Sequence, residues 1–455
     1  MNIAIIGAGA AGCFAAISIK RQLPDAQVDV YEGGKRALAK VSITGGGRCN
    51  LTNSFRQVKS LSQVYPRGER LMKRLLKGFS HTDTYEWFET EGVKLLTQED
   101  ECVFPVSQNA MEIVDTLLRL MRRHGVRLHL GHRVKEILHE EIEGNEGIEG
   151  NEGKFRIRFS REDISEAEAD IVVITTGGSP HISGLDMIGS LDIEIEQPVP
   201  SLFSLCLPGD SITELMGTVV EEAAVSIPAT KHRAIGPLLI THWGMSGPAV
   251  LKMSSHAARH LHSCNYKTDI IVNWFGDTKA ADVEEEILRM ISANPKKQVG
   301  NIYPRRFNSR LWQHLLRRSQ INPGQRFAEL QRKAINRLLN TLTADTYHAD
   351  GKCRFKEEFV TCGGVALSNV SPSTLECRHH AGLYFAGEVL DVDAVTGGFN
   401  LQAAWTMAHT VARAIAANTP WHGPSLPNQP NQPNQQSDPS AQRQRGNRAR
   451  QQSSR

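Results

Sequence analysis

A glycine-rich turn near the N-terminus is the feature that most constrains how this chain can fold. Residues 2–6 are apolar and rich in β-branched isoleucine, which predicts a buried parallel strand. The turn Gly-Ala-Gly-Ala-Ala-Gly at residues 7–12 follows directly, and an alanine-rich helical pattern continues from it. A second strand is predicted over residues 27–31 and ends on the acidic residue Glu32. The order of strand, glycine turn, helix, strand and acid is typical of a βαβ unit that binds a dinucleotide.

Each part of this unit has a physical task. Gly7 permits the tight turn, Gly9 lets the backbone approach a pyrophosphate, and Gly12 lets the helix pack closely against the strand. The N-terminus of the helix presents free N–H groups to the phosphates. Glu32 lies 20 residues after Gly12, where it can accept hydrogen bonds from a ribose diol. We therefore predict a dinucleotide site here, the alternative being a purely structural glycine turn.

Three consecutive glycines at residues 45–47 mark a second candidate contact with a ligand. They lead into Arg48, Cys49 and Asn50. Glycines let the backbone approach a ligand closely, while an arginine and an amide can bond phosphate and other polar groups. The alternative is a flexible loop, but such a loop has little use for so many fixed polar groups beside its glycines. We therefore predict ligand contact at this turn as well.

Two later apolar strands carry a similar signature at their carboxyl ends, where open α/β sheets bind ligands. The strand predicted at residues 171–174 leads to a turn with Gly177, and residues 383–388 form a strand that delivers the carboxylate of Glu388. A Gly-Gly-Phe-Asn sequence within residues 396–402 then opens a helix predicted to run from about residue 402 to residue 417. The N-terminus of that helix is placed to stabilise negative charge on a ligand that lies against it.

Composition and cysteine usage exclude several classes of protein. The chain has 455 residues, of which 40% are hydrophobic and 22% charged, so it is long enough for two or three domains and is not largely disordered. Its eight cysteines include no CxxC pair and no zinc-type Cys/His set, so we expect a reduced, cytoplasmic protein without a metal. The sequence has no apolar run of about 18 residues that would predict a transmembrane helix.

The motifs above, with Thr-His-Trp-Gly-Met-Ser-Gly-Pro at residues 241–248, resemble those of the BaiN/RdsA-type NAD(P)/FAD-dependent flavoprotein family. The resemblance covers about residues 1–418. It implies an α/β fold class, with a discontinuous Rossmann-like FAD-binding domain that carries an inserted β-rich domain and a helical subdomain. It also implies FAD as the cofactor.

The resemblance further implies which residues hold the FAD. The glycines of the first turn would lie on the pyrophosphate, Glu32 on the adenosine ribose, and Glu388 on the ribityl or pyrophosphate end. Asn400 and Leu401 would lie at the flavin ring. The predicted cofactor-binding residues are Gly7, Ala8, Gly9, Ala10, Ala11, Gly12, Glu32, Gly45, Gly46, Gly47, Arg48, Cys49, Asn50, Gly177, Gly387, Glu388, Gly398, Phe399, Asn400 and Leu401.

Reduction of a C=C bond needs a proton donor as well as a hydride, and two side chains are candidates for that group near the flavin. They are His242, in the Thr-His-Trp-Gly turn, and Cys49. A structural alternative stays open for each, with His242 as a turn-stabilising histidine and Cys49 as a small inert residue packed beside the cofactor. Because the chain has no second GxGxxG, electrons must come from a transiently bound NAD(P)H, a protein donor or the substrate itself.

Changes in sequence character divide the chain into five parts. Pro198 and Pro200 mark the crossing into an insert, and a Pro/Gln/Asn/Ser-rich segment without apolar periodicity closes the chain. We predict the first part of the FAD-binding domain at 1–190, the inserted β-rich domain at 191–278, a helical subdomain and return at 279–355, the second part of the FAD-binding domain at 356–418, and a disordered tail at 419–455.

The formal net charge of +3 conceals a local polarisation. Residues 303–337 hold nine Lys or Arg against one acid, Glu329, with four aromatic residues interleaved. This stretch is either an RNA-facing surface or an amphipathic helical subdomain with its aromatics in its own core. Residues 421–455 add five arginines and one acid, so the rest of the chain holds 47 basic and 48 acidic residues. The overall basicity therefore comes from the tail.

Three functions are compatible with these observations. The first, which we favour, is a reductase of an activated C=C bond; the resemblance connects this chemistry with dihydrouridine formation in large-subunit rRNA and with reduction of steroid-type enones. The second is a flavin oxidase or dehydrogenase of a small amine, alcohol or enone metabolite. The third is a flavin-carrying RNA-binding factor without turnover. We expect a small-molecule substrate or rRNA as the partner, and neither DNA nor a membrane.

Overall fold

The computed structural model describes residues 1–140, 153–179, 181–352 and 360–419. The predicted disordered tail lies outside the described residues apart from Thr419. The β-strands of the described residues are, in chain order, β1 (Asn2–Ile6), β2 (Gln27–Glu32), β3 (Thr52–Asn53), β4 (Leu95–Thr97), β5 (Cys102–Pro105), β6 (Arg127–Leu130), β7 (Val134–Glu140), β8 (Lys154–Phe159), β9 (Ala167–Ala169), β10 (Ile171–Ile174), β11 (Ile195–Ser201), β12 (Leu205–Cys206), β13 (Val219–Ser226), β14 (Arg233–Thr241), β15 (Gly244–Ser246), β16 (Lys267–Asn273), β17 (Asp345–Asp350), β18 (Val360–Val365) and β19 (Leu383–Phe385). Their α-helices are α1 (Ala10–Gln22), α2 (Ala39–Gly47), α3 (Glu69–Leu75), α4 (His81–Thr90), α5 (Ala110–Arg123), α6 (Pro248–His256), α7 (Ala258–Ser263), α8 (Ala280–Ala293), α9 (Ser309–Arg318), α10 (Arg332–Ala344) and α11 (Phe399–Asn418).

The first of the two main sheets has five parallel strands in the order β19-β10-β1-β2-β6. Its strands come from both ends of the chain, because β10 and β19 pair beside the N-terminal β1 and β2. Helix α1 packs against α11, and nine consecutive residues of α1 are buried, from Ala11 to Ile19. A helix covered on all sides has no polar stripe, which explains its alanine-rich sequence. This arrangement confirms the predicted α/β, Rossmann-like fold class.

A second sheet of six antiparallel strands, in the order β12-β15-β14-β13-β16-β17, is built from residues 205–350. A bridge between Leu205 and Lys352 and a hydrogen bond from the Cys206 N–H to the Gly351 carbonyl (2.9 Å) join its two edge strands. The sheet therefore closes on itself, which removes its unpaired edges. Its interior belongs to a hydrophobic cluster separate from that of the parallel sheet. Helices α8, α9 and α10 lie between β16 and β17 in sequence, and they supply the fully buried Ile287, Trp312 and Leu338, respectively, to this cluster.

The start of one predicted helix is wrong, because α11 begins at Phe399, about three residues before its predicted start. The segment predicted as a β-rich insert holds strands β11 to β16 and also α6 and α7. Pro248 begins α6 because its fixed φ suits the first helical position. The domain boundaries stay a prediction. Within the described residues, none of the helices has the length and apolar character needed to cross a bilayer.

A buried ion pair connects the two hydrophobic clusters. Arg67 forms a bidentate pair with Asp393, which is 1% exposed. The same guanidinium donates to the carbonyl of Ser255 in α6 (2.6 Å), and the Ser201 hydroxyl donates to Asp393 (2.9 Å). Burial raises the pKa of Asp393 while Arg67 opposes the shift. Helix α6 and strand β11 are thereby held against the loop that precedes α11.

Candidate functional site

A cavity of about 560 Å³, here called the strand-end cavity, lies at the carboxyl ends of the parallel strands. Gly7 follows β1, Glu32 ends β2, Thr175 follows β10 and Ala386 follows β19, and all four line it. This edge is where open parallel sheets bind their ligands, because the turns after adjacent strands diverge there. The cavity therefore lies where the sequence predicts a dinucleotide.

The first glycine turn has free space beside Gly9 and is tightly packed at Gly12. Gly7 has φ +105°, its N–H donates to the Tyr31 carbonyl (2.8 Å), and its own carbonyl accepts from the Thr175 hydroxyl (2.9 Å). A Cβ added at Gly12 would lie 2.0 Å from the Gly7 carbonyl oxygen, whereas one added at Gly9 would meet no atom within 4 Å. Gly12 thus permits the close contact of helix and strand, and Gly9 leaves bare backbone beside the cavity.

The N-termini of two helices point their positive ends at the cavity. Helix α1 begins at Ala10 without a side-chain cap and without an acidic residue in its first turn. Ala10 and Ala11 line the cavity, so the free N–H groups of this turn are available to an anionic ligand such as a pyrophosphate. Helix α11 also lacks an acid in its first turn, and its Asn400 and Leu401 line the other part of the cavity.

Two backbone N–H groups hold the carboxylate of Glu32 in position. Its carboxylate accepts from the N–H groups of Ala8 (3.0 Å) and Gly34 (2.6 Å). An ionised carboxylate has about four acceptor positions, so two backbone donors leave capacity for hydroxyl groups. This geometry fits the predicted contact with a ribose.

The second glycine turn breaks helix α2. Thr44, Gly45 and Gly46 leave helical geometry, and the two glycines have φ +59° and +71°. All three line the cavity together with Asn50. With its amide oriented to satisfy both partners, Asn50 donates to the Thr52 carbonyl (3.0 Å) and accepts from the Gly398 N–H (3.2 Å). The turn therefore forms part of the cavity wall and is tied to the segment before α11.

Further hydrogen bonds shape the segment before α11 and connect it with the chain that follows the second glycine turn. The Asn400 amide accepts from the Ala394 N–H (2.8 Å) and donates to the Ala394 carbonyl (2.9 Å). The Asn53 amide donates to the Gly397 carbonyl (3.0 Å). A Cβ at Gly398 would lie 2.3 Å from the Thr52 carbonyl oxygen, so only glycine fits that contact.

Glu388 connects three elements of the cavity wall. Its carboxylate accepts from the Thr361 N–H in β18 (2.8 Å) and lies 3.6 Å from the ammonium of Lys40. Lys40, in α2, and the nearby Arg36, which precedes that helix, line the cavity but were not predicted, because isolated basic residues have no distinguishing pattern. Both bring positive charge to the cavity wall.

Most of the predicted cofactor-binding residues come together here. Those that line the cavity are Gly7, Ala8, Gly9, Ala10, Ala11, Glu32, Gly45, Gly46, Asn50, Gly177, Gly387, Glu388, Gly398, Asn400 and Leu401. Those that do not are Gly12, Gly47, Arg48, Cys49 and Phe399.

Two of these five have clear reasons for lying outside the lining. The Arg48 guanidinium lies over the Phe104 ring (4.4 Å to its centroid) and its Nε donates to the Gly45 carbonyl (3.1 Å), so it braces the turn from outside. Phe399 packs edge-on against Phe55, and its carbonyl accepts from the Tyr65 hydroxyl (3.0 Å). Both support the wall from behind.

Neither candidate proton donor reaches the cavity lining. His242 is exposed in the turn between β14 and β15 and contacts the Trp243 ring (4.3 Å between centroids), so its position follows from the hairpin of the insert. Cys49 is 0% exposed, and burial raises the pKa of its thiol to about 12. Its side chain faces the protein core, which fits the alternative of a small packed residue.

The insert supplies two lining residues that the sequence did not reveal. Leu202, which follows β11, and Leu251, in α6, form an apolar part of the cavity wall. Leu202 has φ +57°, an uncommon value for a residue with a branched side chain. Apolar residues in an insert look like ordinary core, so no pattern distinguished them. In the part of the chain that the structure describes, no cluster of three or more His, Cys, Asp or Glu residues could hold a metal ion.

Comparison with known proteins gives several matches over nearly the whole chain. Residues 1–414 match the family described as HI0933-like protein Rossmann domain. A 3-dehydro-bile acid delta(4,6)-reductase from Clostridium scindens is 28% identical over 423 residues, which cover 91% of this chain and 99% of that protein. A ribosomal RNA dihydrouridine synthase from Haemophilus influenzae is 27% identical, and the match covers 90% of this chain and 98% of that protein. A protein of the same description from Escherichia coli is 27% identical, and the match covers 91% of this chain and 97% of that protein.

Proposed function

This chain belongs to the HI0933-like protein family of FAD-dependent oxidoreductases, and we propose that it reduces an activated C=C bond with electrons from NAD(P)H. The observation that carries the proposal is the strand-end cavity, whose lining combines the first glycine turn, the first turn of α11 and the apolar side chains of Leu202 and Leu251. Saturation of a C=C bond conjugated with a carbonyl group is the chemistry common to a delta(4,6)-reductase of a 3-dehydro-steroid and a dihydrouridine synthase.

The residues present fit an FAD. The open backbone at Gly9 and the uncapped start of α1 would hold the pyrophosphate, and Glu32 would hold the adenosine ribose. The first turn of α11, with Asn400, would lie at the flavin ring. When bound, FAD supplies the hydride chemistry that such a reduction needs.

The chain's own residues orient the ligands and exclude water. The N–H groups at the start of α11 favour negative charge on a ring placed against them. Leu202 and Leu251 exclude water from their side of the cavity and offer an apolar surface to a ring-shaped substrate. The ionisable side chains of the lining are Glu32, Arg36, Lys40 and Glu388, and only the last two form an ion pair with each other.

Flavin binding and turnover test the proposal directly. Protein purified and reconstituted with FAD should absorb near about 450 nm and bleach when NADPH is added without oxygen. Addition of a 3-keto-4,6-diene steroid, or of uridine-containing rRNA, should then restore the absorbance. Bleaching by a small amine but not by NADPH would favour the oxidase alternative, and failure to retain FAD would contradict every flavin-based function.

A second pair of measurements separates the substrates. If the enzyme acts on rRNA, deletion of its gene should remove a dihydrouridine from large-subunit rRNA, and the purified protein should restore it. If it acts on a small enone, rRNA from the deletion strain should be unchanged while the steroid reoxidises the reduced flavin. A protein that binds RNA without reoxidising its flavin would instead be a binding factor.

A further inference from the structure

A second, smaller pocket of about 310 Å³ is lined by three arginines and is here called the arginine pocket. Arg70 and Arg74 come from α3, and Arg378 comes from the segment before β19. The rest of the lining is apolar and consists of Leu71, Leu367, Val370 and Pro372. None of these residues belongs to the strand-end cavity.

The three guanidinium groups have no acidic partner among the residues that the structure describes. Among the described residues, the Arg378 guanidinium donates to the Ser368 carbonyl (3.1 Å), and neither Arg70 nor Arg74 forms an ion pair or a side-chain hydrogen bond. Arg70 and Arg74 are four residues apart on one helix face, where two like charges repel and destabilise the helix. Three arginines that line one pocket without a counter-charge favour the binding of an anion there.

The chemistry of the lining selects the kind of anion. Arginine presents a planar fork of donors that matches the oxygens of a phosphate, and it stacks on flat rings as lysine does not. The apolar side chains beside it give a surface on which a base or a sugar can pack. A phosphate attached to a nucleoside can contact both the arginines and the apolar side chains, whereas the carboxylate of a small metabolite can contact only the arginines.

A short segment connects the arginine pocket with the strand-end cavity. Val395 lines that cavity, and its N–H donates to the Val64 carbonyl (2.9 Å). Arg70 follows Val64 by six residues along the chain. Six residues span at most about 20 Å, so the backbone of Arg70 lies within about that distance of Val64 at the cavity wall. In a duplex each strand carries one phosphate for about every 3.4 Å of helix axis, so a strand with one base in the cavity has more than one phosphate within this reach.

We propose that the arginine pocket binds a phosphate group of a nucleotide ligand whose reactive part enters the strand-end cavity. Two sources share this chemistry, the backbone of an RNA substrate and the phosphates of NADPH. The identity of the ligand rests on the proposed function, but phosphate binding itself does not.

The test compares variants of the FAD-loaded, full-length protein. Arg74→Gln and Arg378→Gln each remove one cation of the pocket, and Lys73→Gln removes an exposed cation of the same helix that is absent from the lining. The probes are inorganic pyrophosphate, followed by the rise in melting temperature, and a short fluorescein-labelled uridine-containing RNA, followed by anisotropy. NADPH and NADH are compared through the rate of anaerobic flavin bleaching.

Each arginine variant should weaken binding of the responsible probe about tenfold, as expected for removal of a charge-assisted hydrogen bond, while Lys73→Gln stays within about twofold of the parent. A decrease confined to RNA, with a shallower salt dependence, assigns the pocket to the RNA backbone. A decrease confined to NADPH, with NADH unchanged, assigns it to the 2′-phosphate.

Two results would overturn the proposal. One is that Lys73→Gln weakens binding of pyrophosphate, RNA and NADPH as strongly as the arginine variants do. The other is that none of the variants changes the binding of any probe. A parent enzyme that NADPH cannot reduce and that reduces neither substrate would contradict the proposed function, and the pyrophosphate result would still decide the pocket.

Discussion

At the scale of single residues, two glycines of the same turn have different tasks, and the difference is measurable. Gly9→Ala places a methyl group where no atom lies within 4 Å, at a φ of −85° that alanine adopts freely. The apoprotein should therefore keep its stability to within about 0.5 kcal/mol. Because the methyl group occupies the space through which the backbone approaches a pyrophosphate, FAD affinity should fall at least about tenfold in a fluorescence titration.

Gly12→Ala is the matched control for that variant. Its methyl group would lie 2.0 Å from the Gly7 carbonyl oxygen and 2.6 Å from the Thr175 hydroxyl, so helix and strand must move apart. Overpacking of this kind costs about 1–3 kcal/mol, which urea unfolding of the apoprotein would detect. Unchanged FAD affinity in Gly9→Ala would show that no pyrophosphate lies against the backbone at that position.

His314 predicts how stability depends on pH. It is 2% exposed, and among the described residues its Nε2 has no hydrogen-bond partner. Burial, with a smaller contribution from Arg318, lowers the pKa of His314 to about 4. Between the ordinary value near 6.5 and pH 4 the unfolded chain binds more protons than the folded one, so stability falls as the pH falls through this window. The decrease should approach about 3 kcal/mol at its lower end.

Urea unfolding between pH 7.5 and pH 4.5 checks this. His314→Leu should flatten the decline over this range, because it removes the buried group that must be charged. The control is His379→Gln, which removes an exposed histidine and should leave the pH dependence of the parent unchanged. A parent and a His314→Leu variant with the same pH dependence would contradict the assignment.

At the scale of elements, the buried pair of Arg67 and Asp393 is what holds α6 and β11 against the loop before α11. Arg67→Met leaves a carboxylate that is 1% exposed without its cation, which should cost about 3–5 kcal/mol in denaturant unfolding. The double variant with Asp393→Leu removes both charges and should recover most of that stability. Arg259→Met breaks a more exposed pair with Asp391 and should cost less than about 1 kcal/mol. Equal costs for the two arginines would show that the buried pair is not what couples the elements.

Local chemistry explains which elements could be predicted. The N-terminal strand, turn, helix and second strand are adjacent in sequence, and each carries its own signal, so β1, α1 and β2 end within a residue of expectation. His242 and Cys49 could not be placed in this way, because their distance from the cavity depends on how the insert and the core pack. The same limit applies to Leu202, whose place in the cavity wall follows from the pairing of β11 with β18. The position of a site residue can be predicted when its signal lies within one segment, but not when it depends on how distant segments pack.

At the scale of the whole molecule, the charge pattern has two separate origins. The basic stretch at residues 303–337 contains α9 and part of α10, and its Phe307, Trp312 and Phe327 are buried in the cluster of the closed sheet. This matches the amphipathic interpretation, since buried rings are not available to stack on bases. Its cations are mostly on the surface, where Arg305 and Arg317 are exposed. These surface cations and the tail arginines are therefore distinct candidates for contact with a polyanion.

Removal of the tail distinguishes these two candidates. Residues 1–418 form a compact unit, so a chain that ends at residue 419 should keep its FAD absorbance and its unfolding midpoint. The shortened chain lacks five arginines and one acid, which brings the net charge from +3 to −1. If those arginines bind RNA phosphates, the slope of log affinity against log salt should become shallower by about 0.7 for each phosphate that is no longer neutralised.

Full-length protein with the five tail arginines changed to glutamine is the control, because it removes the charge without shortening the chain. Identical slopes for all three proteins would place the phosphate contacts in the folded unit, where the arginine pocket and the exposed cations of residues 303–337 are candidates.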